Sequence, residues 1–122
     1  MQTVIATKTF LDQAKRCGLS EEEIAVICDA VASDPQGGDL IVGTGGARKM
    51  RHAGRGRGKS GGYRTIHYWG GADIPIFLLS IYGKGTKDSL SNAEKRELEK
   101  ILSAMAEAYR QGVRRRPQGR TR

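Results

Sequence analysis

The chain has 122 residues and a formal net charge of +8 at neutral pH. This is the length of a single domain that buries about two thirds of its unfolded surface, so it needs no disulfide or metal to hold it together. No apolar stretch approaches the roughly 20 residues of a membrane span, and no secretory signal opens the chain. We therefore expect a cytoplasmic protein with no membrane partner.

The first part of the chain predicts a short strand followed by two helices. Residues 3–6 are β-prone, and Thr7 precedes a helical stripe that ends at Gly18 and consists of Phe10, Leu11, Ala14 and Cys17. Ser20 and Glu23 have the spacing of a capping box, in which each side chain pairs with the other residue's backbone N–H. They open a second helix whose apolar stripe is Ile24, Ile27, Cys28 and Val31.

The remainder of the chain predicts three strands and a closing helix. Strand-like runs span residues 47–53, 63–69 and 74–82, and glycine-rich turns separate them. Ser91 and Glu94 form a second capping box before a helix that carries Leu98, Ile101, Leu102, Met105 and Tyr109. Because strands joined by short links usually pair, we expect an α+β fold, a small antiparallel sheet with helices packed on it. We expect one domain over residues 1–112 and a disordered basic tail over residues 113–122.

Positive charge is concentrated in two segments. Residues 40–72 contain seven basic residues and no acid, and residues 111–122 add five arginines, so the rest of the chain is net −4. A concentrated positive field attracts and steers a polyanion, which indicates a nucleic acid partner. The basic residues of the central segment are Arg48, Lys49, Arg51, Arg55, Arg57, Lys59 and Arg64.

Two phosphate-binding patterns in the central segment do not fit their surroundings. Residues 53–60 match the permissive P-loop pattern, and Gly56, Gly58 and Gly61 match a dinucleotide-binding pattern. Both mechanisms need a helix N-terminus after the glycines, but a strand is predicted there. His52 and His67 lie in the middle of strands, and no residues have metal-ligand spacing. We therefore expect neither a metal nor another cofactor.

Lysine, arginine and tyrosine can together perform RNA cleavage. RNA carries its own nucleophile, the 2′-hydroxyl, so the protein has to align it, accept its proton and stabilise the pentacoordinate phosphate. Strand alternation puts Lys49 and Arg51 on one face, about 6.6 to 7 Å apart, within reach of one phosphate. Crowding of like charges disfavours protonated lysine, which makes Lys49 a candidate base, while Arg51 and Arg64 are suited to clamp the transition state.

Three runs of residues also carry a family resemblance: Gly43 to Arg51, Gly58 to Arg64 with Ile66 and Tyr68, and Ile81 to Lys84. Together they resemble the RelE/HigB branch of the RelE/ParE toxin superfamily, in element order over residues 3–109. The resemblance implies a compact α+β fold, metal-independent cleavage of mRNA in the ribosomal A site by 2′-hydroxyl attack, and inhibition of translation. It also implies neutralisation by a cognate antitoxin. By position it assigns catalysis to Lys49, Arg51 and Arg64.

The chain departs from the family pattern after the last predicted strand. Several RelE toxins have an arginine directly after the Gly-Lys step and a tyrosine six residues later, where this chain has Gly85 and Ser91. Lys84, Lys87 and Tyr82 are candidate substitutes, and the identities of the general acid and base stay open. We place Lys84 with the catalytic residues. The residues expected to bind RNA are Arg48, Arg55, Arg57, Lys59, Tyr82 and Lys87.

Two other functions stay open at this point. A ParE-like toxin that acts on gyrase has the same fold, and a noncatalytic nucleic-acid-binding module would also explain the charge. The three cations on the predicted strands favour RNA cleavage, because a gyrase poison has no need to clamp a scissile phosphate. The expected partners are therefore a cognate antitoxin protein, the ribosome and mRNA.

Overall fold

A computed structural model describes residues 2–53, 62–83 and 90–120, with side chains up to residue 112. These ranges contain five strands and three helices: β1 (Val4–Ala6), α1 (Lys8–Arg16), α2 (Glu21–Ser33), β2 (Asp39–Leu40), β3 (Ala47–His52), β4 (Tyr63–Tyr68), β5 (Ile76–Gly83) and α3 (Asn92–Arg120). The strands form one sheet in the order β1-β5-β4-β3-β2. The predicted α+β class is confirmed.

Local sequence signals set where the helices begin and end. Ser20 and Glu23 form the predicted capping box at α2, with N–O distances of 2.8 and 3.1 Å. Ser91 and Glu94 form the same box at α3, with the same two distances. Each box pairs N–H groups that have no partner within the first helical turn. Beyond α1, Gly18 adopts a φ of +80°, which favours glycine and ends the helix.

The antiparallel pairing predicted for the central strands is confirmed, and a parallel edge strand makes the sheet as a whole mixed. The pairings from β2 through β5 are antiparallel, but β1 lies parallel to β5 at the far edge. A hairpin turn enforces antiparallel pairing only between consecutive strands, and β1 is far from β5 in sequence. Thr7 secures this edge, since its hydroxyl donates to the Leu78 carbonyl at 3.0 Å and accepts the Phe10 N–H at 3.2 Å.

Helices cover both faces of the sheet. On one face α1 and α2 pack against β5 through a cluster made of Phe10, Ala14, Ile27, Val31, Ile76, Leu78 and Ile81. On the other face α3 packs through Leu102 and Ala106 against Ala47, Ile66, Ile74 and Phe77. Successive residues of a strand point to opposite faces of the sheet. On β3, Lys49 and Arg51 therefore point to the same face as Ala47, which is the face that α3 covers.

The closing helix is longer than its apolar stripe predicts. Its range, Asn92–Arg120, includes residues 113–120 of the segment expected to be a tail, and the division at residue 112 stays a prediction. None of the described helices combines the length and the apolar character needed to cross a membrane.

Two histidines lie between the sheet and the layer of α1 and α2. His67 is completely buried, and its Nε2 donates to the Pro35 carbonyl at 2.8 Å, because a carbonyl can only accept. Its Nδ1 has no hydrogen-bond partner among the described residues. The Nε2 of His52 lies 2.8 Å from the Thr65 hydroxyl. Burial lowers the pKa of both imidazoles, and for His52 the neighbouring His67 adds to the effect.

We expect the free energy of unfolding to fall as the pH drops from about 7 to about 5.5. A histidine in the unfolded chain has a pKa of about 6.5 and takes up a proton below it. The buried His67 and the half-buried His52 have lowered pKa values and take up a proton only at lower pH. Protonation therefore stabilises the unfolded chain, by at most about 1.4 kcal/mol per pH unit for each histidine. Urea denaturation at a series of pH values measures the slope.

The matched test of this pH dependence replaces both rings. A variant with His52→Gln and His67→Gln should lose most of the slope between about pH 7 and pH 5.5, even if its stability at pH 7 is lower. A double variant whose stability falls as steeply as that of the wild type would show that other groups cause the effect.

Candidate functional site

The antiparallel register brings basic residues of two strands into line with a tyrosine of a third. Arg51 of β3 pairs directly with Arg64 of β4. Arg64 pairs in turn with Tyr82 of β5. Directly paired residues in antiparallel strands have Cα atoms about 4.5 to 5.5 Å apart. The three residues therefore form one row across the three central strands, near the ends of β3 and β5 and the start of β4.

Lys49 lies in the neighbouring row on the same face. It pairs with Ile66 on β4 and with Asp39 on β2. Its position two residues before Arg51 corresponds to about 6.6 to 7 Å along the strand. We call Lys49, Arg51 and Arg64 the cationic cluster.

The cationic cluster occupies the α3 side of the sheet, at the end that α3 leaves open. By strand alternation, Lys49 and Arg51 share a face with the buried residue Ala47, and Arg64 shares it with Ile66. Arg51 is exposed, while Lys49 and Arg64 are half-buried. In the described part of the chain, no hydrogen bond or ion pair engages the guanidinium of Arg51 or Arg64. Both are available to an anion.

Arg48, which we expected to bind RNA, lies on the opposite face. It pairs with His67 across β4. Its guanidinium donates to the Gln36 carbonyl at 2.8 Å and is 3.5 Å from the Gly38 carbonyl. Arg48 thus secures the loop between α2 and β2, and the structure does not bring it to the cationic cluster.

Five predicted site residues fall outside the described ranges, namely Arg55, Arg57, Lys59, Lys84 and Lys87. Their roles stay predictions. Tyr82, expected to bind RNA, is described and pairs directly with Arg64 across β4 and β5.

The acid across from Lys49 was not anticipated from the sequence. Asp39 is exposed and belongs to β2, a strand of two residues. Opposite charges directly across a strand pair attract, so Asp39 influences where the Lys49 ammonium lies. A two-residue strand is too short to show alternation, and only the register reveals this neighbour.

The histidines do not belong to the cationic cluster. His52 and His67 both alternate onto the side of α1 and α2, where their ring nitrogens face Thr65 and Pro35. Over residues 2–53, 62–83 and 90–120, no group of three or more His, Cys, Asp or Glu side chains is placed to hold a metal ion.

Comparison with known protein families gives a match over residues 2–118 to a model described as the RelE toxin of the RelE/RelB toxin–antitoxin system. The matched range includes every strand of the sheet and all three residues of the cationic cluster. The resemblance found in the sequence is therefore confirmed at the level of the family. The chain belongs to the RelE family, and it is a toxin of a toxin–antitoxin system.

Proposed function

We propose that this toxin is a ribosome-dependent mRNA endonuclease that cleaves by attack of the RNA 2′-hydroxyl, without a catalytic metal. The observation that carries the proposal is the direct pairing of Arg51 with Arg64 on the open part of the sheet. Like charges directly opposite each other destabilise a strand pair. A phosphodiester anion bound between the two guanidinium groups would replace that repulsion with charge-assisted hydrogen bonds.

The proposed reaction begins with the scissile phosphodiester seated between Arg51 and Arg64. The 2′ oxygen loses its proton and attacks phosphorus, and the bond from phosphorus to the 5′ oxygen breaks. The leaving 5′ oxygen takes up a proton, so the products are a 2′,3′-cyclic phosphate and a 5′-hydroxyl. Negative charge builds up on the phosphate oxygens in between, where two permanently charged guanidiniums stabilise it.

Proton transfer falls to the residues that flank the two arginines. Lys49 lies along the same strand, and an amine in its neutral form can accept the 2′ proton. Tyr82 lies across from Arg64, and its phenol can donate to the leaving oxygen or contact the phosphate. Lys84 follows one residue after the end of β5 and remains a third candidate for proton transfer.

The open shape of the site supports cleavage on a ribosome rather than on free RNA. The cationic cluster is a shallow surface, with Arg51 exposed and its two partners half-buried. Such a surface binds a phosphate but fixes few degrees of freedom of a flexible strand. A second partner that holds the mRNA in one conformation would supply the missing alignment of the 2′ oxygen, which is worth many orders of magnitude in rate.

We expect Arg64→Ala to reduce single-turnover cleavage on programmed ribosomes about 100-fold or more. The physical reason is the loss of one preorganised cation, which typically costs about 2.7 to 4 kcal/mol of transition-state stabilisation. Thermal stability should change by only about 0.5 kcal/mol, because no hydrogen bond or ion pair of the Arg64 guanidinium with a described residue is lost. The measurements are cleavage rate, thermal melting and growth arrest on induction.

Arg16→Ala is the matched control for the loss of charge. Arg16 is an exposed residue in the last turn of α1, on the side of the sheet that faces away from the cationic cluster, and its removal should leave cleavage unchanged. An Arg64→Ala variant that cleaves at the wild-type rate would contradict the proposed site. Inhibition of gyrase supercoiling by a wild-type protein that leaves ribosome-bound mRNA intact would instead favour a gyrase-directed toxin.

A toxin of this family has a cognate antitoxin, and the cationic cluster suggests how the antitoxin acts. An acidic segment placed over Arg51 and Arg64 would neutralise them by complementary charge. We expect co-expression with the neighbouring reading frame to restore growth and to yield a stable complex.

The rate at which toxin and antitoxin associate should fall about 10-fold or more between low and high salt, because charge steers the encounter. An association rate that is independent of salt would contradict electrostatic neutralisation.

A further inference from the structure

The loop between α2 and β2, residues 34–38, is held on the sheet by its backbone carbonyls. The ring of His67 donates to the Pro35 carbonyl at 2.8 Å. The guanidinium of Arg48 donates to the Gln36 carbonyl, also at 2.8 Å. His67 and Arg48 pair directly across β4 and β3, on the face that α1 and α2 cover. One uncharged ring and one cation therefore fix the loop from two neighbouring strands.

The strand that follows this loop is the weakest part of the sheet. β2 consists of Asp39 and Leu40, which are both exposed, and it pairs with β3 alone at the edge. Segments that bury few apolar contacts open locally at a lower cost than the whole domain. Asp39 faces Lys49 of the cationic cluster across the strand pair. A movement of the loop and β2 therefore moves a carboxylate away from Lys49.

The His67 ring has no suitable surroundings for a positive charge while the loop is closed. It is completely buried, and its Nδ1 has no hydrogen-bond partner among the described residues. A protonated imidazole has two N–H donors, and here only one of them has an acceptor. Burial lowers the pKa of His67, the bond to the Pro35 carbonyl opposes this, Arg48 lowers the pKa and Asp34 raises it. The ring of His52 lies close enough for the two imidazoles to repel each other when charged.

We propose that His67 is an acid-sensitive latch, which holds residues 34–38 against the sheet while it is neutral and releases them together with β2 when its Nδ1 takes up a proton from water. In the released loop the ring reaches solvent, where both N–H groups find acceptors and the repulsion from Arg48 weakens. Release separates Asp39 from Lys49, so acid changes the charge beside the cationic cluster. The latch depends only on contacts within the fold, and it does not require the proposed endonuclease activity.

Opening of the loop should become more frequent as the pH falls below about 6.5. An exposed histidine takes up a proton below its ordinary pKa of about 6.5, whereas the closed loop keeps the ring neutral to lower pH. Protonation therefore stabilises the open loop. From pH 7 to pH 5.5 the equilibrium constant for opening should rise by up to about eightfold, which is the most that one such ring can contribute.

Amide hydrogen exchange, followed by NMR on the full-length protein, measures this opening. The Gly37 N–H donates to the Asp34 carbonyl and the Ile41 N–H donates to the Ala47 carbonyl, both at 2.8 Å. These two amides report on the loop and on the end of β2. After correction for the intrinsic exchange rates, their opening constants should rise about eightfold between pH 7 and pH 5.5.

Low concentrations of urea distinguish local opening from unfolding of the whole domain. Local opening exposes little surface, so exchange at Gly37 and Ile41 should depend weakly on urea, whereas exchange through global unfolding depends on it steeply. The Ile76 N–H, which donates to the Thr3 carbonyl at the other edge of the sheet, is the reference. If the two loop amides open with the same constant and the same urea dependence as Ile76, the loop has no opening of its own and the latch is wrong.

His67→Gln and His52→Gln are a matched pair of variants. Glutamine at position 67 can still donate to the Pro35 carbonyl but cannot titrate, so the response of the loop amides to acid should disappear. His52→Gln removes the neighbouring ring and leaves the loop contact in place, so the response should remain. A response that persists in His67→Gln, or that is lost equally in both variants, would overturn the assignment to His67.

Arg48→Met tests the latch even if His67→Gln does not fold. It removes the other side chain that holds the loop and leaves His67 in place. Opening at Gly37 should increase at every pH, and the further increase in acid should remain. Exchange at Gly37 that is unchanged in Arg48→Met would show that these carbonyl contacts do not hold the loop, which contradicts the proposal.

Discussion

Arg51 and Arg64 repel each other across β3 and β4, and the surrounding fold has to hold them together. A directly opposed pair of like charges destabilises two strands in isolation. Here both strands are packed on two sides, by α1 and α2 on one face and by α3 on the other. Burial of apolar side chains at about 25 cal/mol per Å² outweighs one surface repulsion. The backbone positions of the two arginines are consequently paired by the fold itself, before any anion binds.

The same field acts on every polyanion that the toxin meets. The guanidiniums of Arg51 and Arg64, which have no ion-pair partner among the described residues, attract an RNA backbone and an acidic antitoxin alike, and the two compete for one surface. Specificity has to come from groups beside the cluster. In the described part of the chain, a groove under α3 lies beside the cluster and is lined in part by the carboxylates of Glu94 and Glu97, which repel a phosphate.

Signals within a few residues of each other made most of the fold predictable. The capping boxes at Ser20 and Ser91 depend on residues three apart, and both form as expected. Alternation along one strand likewise placed Lys49 and Arg51 on a common face. The same rule puts Arg48 on the other face, but Arg48 was assigned to RNA binding because of its charge alone.

Long-range features could not be predicted in this way. The pairing of Arg64 with Arg51 depends on register, which the length of the intervening loop does not fix. The parallel placement of β1 depends on contacts with a strand some 70 residues later in the chain. The groove forms only once α3 is docked on the sheet, and no local pattern links Glu97 to Ser80. These features follow from packing rather than from propensity.

The chemistry proposed for the cationic cluster is tested most directly by removing the nucleophile from the substrate. Ribosomes are programmed with mRNA that carries a single 2′-deoxy nucleotide at the mapped cleavage position, and the product ends are analysed. We expect cleavage at that bond to be lost, while the all-ribose mRNA yields a 2′,3′-cyclic phosphate and a 5′-hydroxyl. Cleavage that persists at the deoxy position, or products with a 5′-phosphate, would show that water attacks and would contradict the mechanism.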